Sequence, residues 1–239
     1  MRNVLINGGS RGIGAAMVRA FCGAGDRVTF TYCHAQAQAQ ALAAHTGALA
    51  LQADSGSLRE VQAAVAECRQ KNGEIAILIN NAAVSEVGLF PDMQEERWQR
   101  MLAVNLNGPV WFCREVLPGM IREKRGCILN VSSMWGVVGA SCEVGYSTTK
   151  AALLGLTKAL AKEVGPCGIT VNAIAPGVID TDMNAALSAE DLAALKEETP
   201  LGRLGTPEEV AQLALFLCGE GGAFITGQVI GQNGGFSVS

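Results

Sequence analysis

The chain has 239 residues, 49% of them hydrophobic, with 29 glycines and few aromatics, and a net charge of −4. That is enough for one large domain with a substantial core, and it excludes a disordered or fibrous chain. The mild charge gives no basis for nucleic acid or an anionic membrane as a partner, and no apolar run approaches membrane-spanning length.

Asn3–Ile6 is an apolar strand starting almost at once, so no signal peptide is expected. It runs directly into Asn7-Gly8-Gly9-Ser10-Arg11-Gly12-Ile13-Gly14 and a helix that carries Ile13, Met17 and Phe21 on one side and ends near Gly23–Gly25. Strand, glycine-rich turn and helix form the context of a dinucleotide site. The glycines let the backbone approach a pyrophosphate, and the helix offers free N–H groups and its positive end. The spacing, Gly-x-x-x-Gly-x-Gly, departs from the commoner Gly-x-Gly-x-x-Gly. The second strand, Arg27–Tyr32, leads into Cys33 and His34, with no carboxylate to grip the ribose hydroxyls of NAD. Arg11 is the nearest cation for a 2′-phosphate, with His34 as an auxiliary, so the pattern favours NADPH over NAD.

Ala35–Ala44 reads as a helix of good formers and Ala48–Leu51 as a third strand leading to Asp54. Ser57-Leu-Arg-Glu60 has capping-box form and opens a helix whose expected buried stripe is Leu58, Val61, Val65 and Cys68. Ile75–Ile79 is a continuous apolar run, as a central parallel strand covered on both faces requires, and it ends in Asn80-Asn81-Ala82-Ala83. A long helical region from about Glu95 is interrupted near Asn105-Leu-Asn-Gly-Pro109. Asn105 is unfavourable within a helix, so it either caps or has a task.

Cys127–Val131 is a fifth strand ending in Ser132 and Ser133. After a short turn-rich stretch a helix follows, with apolar positions at Ala152, Leu156, Leu160 and Val164, and with Tyr146 and Lys150 one turn apart on one face. Ile169–Ile174 closes in Ala175-Pro176-Gly177. The irregular segment 178–205 contains a short amphipathic piece (Leu187, Leu192, Leu195) and stands where a substrate lid would sit. Thr206-Pro-Glu-Glu209 opens the last helix with a capping box and a first-position Pro, and Gln228–Ile230 is a seventh strand. No repeat or linker divides residues 1–239.

The alternation implies an α/β single domain: an open, doubly wound, seven-stranded parallel sheet with helices on both faces. Ligands bind such a sheet at the carboxyl ends of its strands. The unusual clusters all fall there: Gly8–Gly14, Asn80-Asn81, Ser132-Ser133 and Pro176-Gly177. A Tyr-x-x-x-Lys pair alone is a common surface accident, but in this company it reads as acid–base machinery. Free Tyr titrates near ~10, and a fixed cation nearby moves it toward work at neutral pH. The eight cysteines are scattered, with no Cys-x-x-Cys pair, which points to small buried hydrophobes in a reducing, cytoplasmic setting and to no metal site. Only Cys142 lies where it could face the site.

Together these residues resemble the short-chain dehydrogenase/reductase family over the whole chain. The family's Thr-Gly-x-x-x-Gly-x-Gly appears as Asn7 to Gly14, with Asn in place of Thr. Its Asn-Asn-Ala-Gly appears as Asn80 to Ala83, with Ala in place of Gly. The resemblance implies a single-domain Rossmann fold and a catalytic set of Asn105, Ser133, Tyr146 and Lys150, the Ser-to-Tyr gap selecting Ser133 over Ser132. It implies cofactor contacts from Gly8, Ser10, Arg11, Gly12, Ile13, Gly14, Tyr32, Asp54 (toward adenine), Asn81, Tyr146, Lys150, Pro176, Gly177, Ile179 and Thr181. The implied reaction moves a hydride from NADPH to a ketone. Tyr146 is the proton donor, Ser133 holds the oxygen, Lys150 lowers the Tyr146 pKa and binds the nicotinamide ribose, and Asn105 holds a water leading to solvent.

The C-terminal part resembles 3-oxoacyl-acyl-carrier-protein reductases of fatty acid biosynthesis. The stretch Ser133 to Val144 looks instead like reductases of the 5-aminopentanone modification on translation elongation factor P. Ser133, Glu143 and Tyr146 would meet the substrate there, a carboxylate at 143 suiting a cationic amine and hindering an acidic carrier protein; alternatively Glu143 caps its helix. Trp135 either packs or touches substrate. A basic residue often precedes Gly-Ile-Thr in carrier-protein reductases, where this chain has Cys167. Some family members are non-catalytic cofactor sensors, against which the intact tetrad argues. The family usually forms a homotetramer, for which Trp111, Phe112 and Phe224 are candidate contacts.

Overall fold

The computed structural model describes residues 1–182 and 188–237. Among them, seven parallel strands form one sheet in the order β3-β2-β1-β4-β5-β6-β7. The strands are β1 (Asn3–Asn7), β2 (Arg27–Tyr32), β3 (Leu49–Gln52), β4 (Ile77–Asn80), β5 (Gly126–Val131), β6 (Ile169–Pro176) and β7 (Val229–Gln232). Side chains of successive strand residues point to opposite faces. Val4, Ile6, Ile77, Ile79 and Leu129 accordingly join one core cluster, while Leu5, Leu78 and Ile128 join another on the far side. The first cluster is closed by α1 (Gly12–Gly23) and α9 (Pro207–Leu217), the second by α3 (Leu58–Asn72), α5 (Gly108–Glu123) and α7 (Val144–Val164). The order reverses between β1 and β4, so the crevice beyond their carboxyl ends is the ligand position of an open α/β sheet.

Two buried stripes differ from their sequence patterns. Leu58 is 41% exposed, and α3 buries Val61, Ala64, Val65 and Cys68 instead. No capping box forms at Ser57: the Glu60 carboxylate accepts from the Asp54 amide at 2.9 Å rather than from the N-cap. On α7 the buried positions are Gly145, Tyr146, Ser147, Thr149, Lys150, Leu153, Thr157, Ala161 and Val164, while Ala152, Leu156 and Leu160 are half-buried. The sheet side of this helix is partly polar, so an apolar stripe alone points one residue away from the true face. The capping box at Thr206 does form, with Glu209 N donating to Thr206 Oγ1 at 3.2 Å.

The interruption near Asn105 is a π-helical turn, Leu102–Asn107, between α4 (Glu95–Met101) and α5. Such turns insert a residue into a helix and re-aim side chains at functional sites. Within 178–205, Ala189–Glu198 forms a helix (α8) behind a Ser188–Asp191 capping box; Leu187 lies outside the described residues. Of the candidate interface residues, Phe112 is fully buried in the core and unavailable for contact, whereas Trp111 is half-buried and Phe224 fully exposed. Among the described residues the other α-helices are α2 (Gln36–Thr46) and the short α6 (Trp135–Val138). No helix of the described residues is long and apolar enough to cross a membrane.

Candidate active site

The glycine loop folds because its glycines admit contacts that a side chain would block. Gly8 has φ +69°, and a Cβ there would come 2.7 Å from Ala82 Cα; a Cβ on Gly14 would overlap the Gly8 carbonyl. Asn7, replacing the family's Thr, is fully buried and makes three bonds. Its Oδ1 accepts from the amides of Asn81 and Ala82, both at 2.7 Å, and its Nδ2 donates to Asn80 Oδ1 at 2.8 Å. Asn81 Nδ2 donates to the Gly8 carbonyl at 2.7 Å. The loops after β1 and β4 are thereby one hydrogen-bonded unit.

A cleft of about 790 Å³ opens over this unit. Gly8, Ser10, Arg11, Gly12 and Ile13 from the glycine loop line it, as do Tyr32 and Asp54 from the ends of β2 and β3, and Asn81 and Thr181. No side chain caps α1 and no acid stands in its first turn, so its amides and positive end are left for an anion. Glycine loop, uncapped helix and cleft fit a nicotinamide dinucleotide. Of the expected cofactor contacts, Tyr146, Lys150, Pro176, Gly177 and Ile179 do not line this cleft: Gly177 and Ile179 border a smaller cavity of about 180 Å³ toward β7. Gly14 shapes the loop from within.

The catalytic candidates converge at the ends of β4 and β5. Ser133 lies close enough to Tyr146 to act on its phenol, and its Oγ accepts from the Trp135 amide at 3.1 Å. The Lys150 ammonium lies 5.6 Å from the Tyr146 ring centroid and donates to the Val131 carbonyl at 2.7 Å. Asn105 is fully buried. Its Oδ1 accepts from Val84 N at 2.8 Å, while its Nδ2 donates to Val84 O at 2.8 Å and to Thr149 Oγ1 at 3.0 Å. Both amide hydrogens are therefore taken, and only a second Oδ1 lone pair is left for the expected water. The side chain braces the β4 loop against α7, and Val84, which lines the cleft, joins the catalytic group to it.

Electrostatics correct one expectation. Lys150 does not lower the Tyr146 pKa: burial, then the Glu143 charge, push the phenol up to about 12, against a lowering by the Ser133 hydroxyl. Burial takes Lys150 the other way, from the ordinary 10.5 down to about 7. Glu143 is the N-cap residue of α7, yet its side chain makes no cap hydrogen bond and no ion pair, and burial raises its pKa. The preceding Cys142 has φ +60°, a left-handed conformation uncommon for a side-chain-bearing residue, and its carbonyl accepts from Gly88 N at 2.8 Å. Trp135 packs edge-on to Phe236, with ring centroids 5.3 Å apart.

One cleft residue escapes the sequence reading. Arg100 pairs with Asp54 through two bonds, Nη1 to Oδ2 at 2.7 Å and Nη2 to Oδ1 at 3.0 Å. The available signal is a helical stripe, Arg97, Arg100, Met101 and Val104, all lining the cleft. No group of His, Cys, Asp and Glu among the described residues could hold a metal ion.

Comparison with known proteins agrees with this geometry. A family model described as enoyl-(acyl carrier protein) reductase matches residues 8–237. The chain is 43% identical to a 3-oxoacyl-[acyl-carrier-protein] reductase of Aquifex aeolicus over 236 residues, 97% of this chain and 95% of the relative. It is 39% identical to an acetoacetyl-CoA reductase of Rhizobium meliloti over 235 residues, 98% of each. A short-chain dehydrogenase/reductase structure from Serratia marcescens superposes with a TM-score of 0.93 at 34% identity, covering 99% of this chain and 98% of that one. With dinucleotide cleft, Tyr–Lys pair and sheet order in place, the chain belongs to the short-chain dehydrogenase/reductase family and is an oxidoreductase interconverting a ketone and a secondary alcohol.

Proposed function

We propose that the protein is an NADPH-dependent ketone reductase of 3-oxoacyl thioesters. The observation that carries this reading is the buried Tyr146 phenol, with Ser133 and the Lys150 ammonium next to it, in a domain that also carries a glycine-loop cleft. When bound, the reduced nicotinamide supplies a hydride to the carbonyl carbon. Ser133 donates a hydrogen bond to the carbonyl oxygen and holds it within reach of Tyr146. Tyr146 gives its proton to that oxygen as negative charge develops. A phenol near about 12 stays protonated until it is needed, yet an alkoxide is a stronger base than the phenolate left behind. Lys150, near about 7, is itself able to reprotonate the phenolate. NADPH is favoured because Arg11 lines the cleft and β2 ends without a carboxylate.

A second reading has its own support: Glu143, an unpaired, half-buried carboxylate three residues before Tyr146. A cationic group on the substrate would satisfy it, and an amino ketone such as the aminopentanone modification of elongation factor P has one. NADPH consumption with an acetoacetyl thioester and with an amino ketone, run in parallel, separates the two. Turnover of the thioester alone supports the first reading; turnover of the amino ketone alone overturns it in favour of the second. A homotetramer in the cytoplasm remains the family-based expectation, checked by light scattering.

A further inference from the structure

An acid at the end of β2 would exclude a 2′-phosphate. This chain has none there, but it carries one on the neighbouring strand. Ala53 N donates to the Tyr32 carbonyl at 2.8 Å and Gln52 Nε2 to the Cys33 carbonyl at 3.1 Å, so the residues after β3 are tied to the end of β2. Asp54 follows immediately and faces the same cleft. Left ionised and unpaired, its charge would oppose a phosphate bearing about −2 on the adjacent ribose.

Arg100 removes that charge. Its guanidinium takes both Asp54 oxygens, at 2.7 and 3.0 Å, while the Gly56 amide donates to Oδ1 at 2.8 Å. A Cβ on Gly56 would stand 2.6 Å from Arg100 Nη1, so a side chain there would shift the guanidinium from this position. Burial raises the Asp54 pKa, but the Arg100 bonds, the Gly56 amide and the charges of Arg100 and His34 outweigh it, so the carboxylate stays ionised and paired. Cys33 feels the charges of both partners, which places the pair beside the end of β2. With the Asp54 charge paired, Arg11 and Arg97 are the further cations of a lining that also holds Glu86 and Asp182.

We propose that Arg100 is a positioning residue for cofactor choice: by pairing Asp54 it allows a 2′-phosphorylated dinucleotide into a cleft that the carboxylate would otherwise reserve for the unphosphorylated one. The inference rests on the NADPH reading and deepens it.

The test compares kcat/KM with NADPH and NADH for the wild type, Arg100→Gln, Asp54→Asn and the double variant. Arg100→Gln is expected to lower the NADPH-to-NADH ratio by about tenfold, less at high salt, through KM rather than kcat. Asp54→Asn keeps the ratio at or above the wild type, and the double variant recovers it. Equal losses with both cofactors, or a double variant as poor as Arg100→Gln, would overturn the proposal. Should Arg100→Gln fail to fold, Arg100→Lys keeps the charge without the fork, and a retained ratio is the expected result; a ratio collapsed tenfold in Arg100→Lys contradicts it. A wild type that prefers NADH defeats the NADPH reading itself, a separate outcome from failure of the Arg100 cycle.

Discussion

Two regions of the site treat charge in opposite ways. Beside the end of β3, Asp54 and Arg100 are partly exposed and fully paired, and each holds the other in its ionised form. At the catalytic end, Lys150 is 2% exposed with no acid bonded to it, and Glu143 is half-buried and unpaired. Pairing fixes a charge for binding. Burial without pairing brings Lys150 and Glu143 toward the working pH, while it moves the Tyr146 phenol away from it and keeps that proton in place. One domain thus keeps a static electrostatic region beside a titrating one.

The contrast breaks most sharply at Tyr146. Tyr146→Phe is expected to cost 10²- to 10⁴-fold in kcat with NADPH affinity unchanged, measured by steady-state turnover and cofactor fluorescence. Comparable loss of affinity would mean that Tyr146 belongs to binding rather than proton transfer. Asn105→Ala removes the partner of the half-buried Val84 N–H and C=O and one of the two bonds of the buried Thr149 hydroxyl, which keeps its bond to the Tyr146 carbonyl. A destabilisation of about 2 kcal/mol by urea unfolding is expected. A change under about 0.5 kcal/mol would contradict the brace.

Lys150 makes the pH dependence diagnostic. Its pKa is about 7 folded against 10.5 unfolded, so between those values the unfolded chain binds the extra proton and stability rises with pH. Below about 7 both states carry it and the penalty is full. Tyr146, raised from 10 to about 12, has the reverse effect over that higher window. Urea midpoints from pH 7 to 10 should therefore climb in the wild type and flatten in Lys150→Met; equal slopes would show that Lys150 is not depressed. The smallest effect is expected at Glu143→Gln, a few-fold change in KM confined to amine-bearing substrates, and no change with any ketone would return Glu143 to a structural role.

What was legible in the sequence follows from range. The glycine loop, the apolar central strands and the Tyr146–Lys150 spacing are local patterns, and the ends of β1, β4, β5 and β6 each carried their own mark. Asn105 stood out because an amide sits badly in a helix, although its partners Val84 and Thr149, 21 and 44 residues away, could not be read. Arg100 and Asp54 are 46 residues apart and meet only once α4 lies over the end of β3. The Ser57–Glu60 box failed because Glu60 found the Asp54 amide instead. The buried face of α7 was displaced because polar residues, Lys150 and Thr157, occupy it. Local rules place elements; side-chain competition over distance decides partners.

The central claim is that this cleft delivers a hydride to a carbonyl carbon while Tyr146 delivers the proton. The most direct measurement is transfer of deuterium from NADPH labelled at the nicotinamide C4 to the product alcohol, with an acetoacetyl thioester and an amino ketone each offered to the wild type. The account predicts label on the carbinol carbon of at least one product, and its loss in Tyr146→Phe. Tight NADPH binding with no label in either product would contradict it and leave a cofactor-binding protein that does not reduce these ketones.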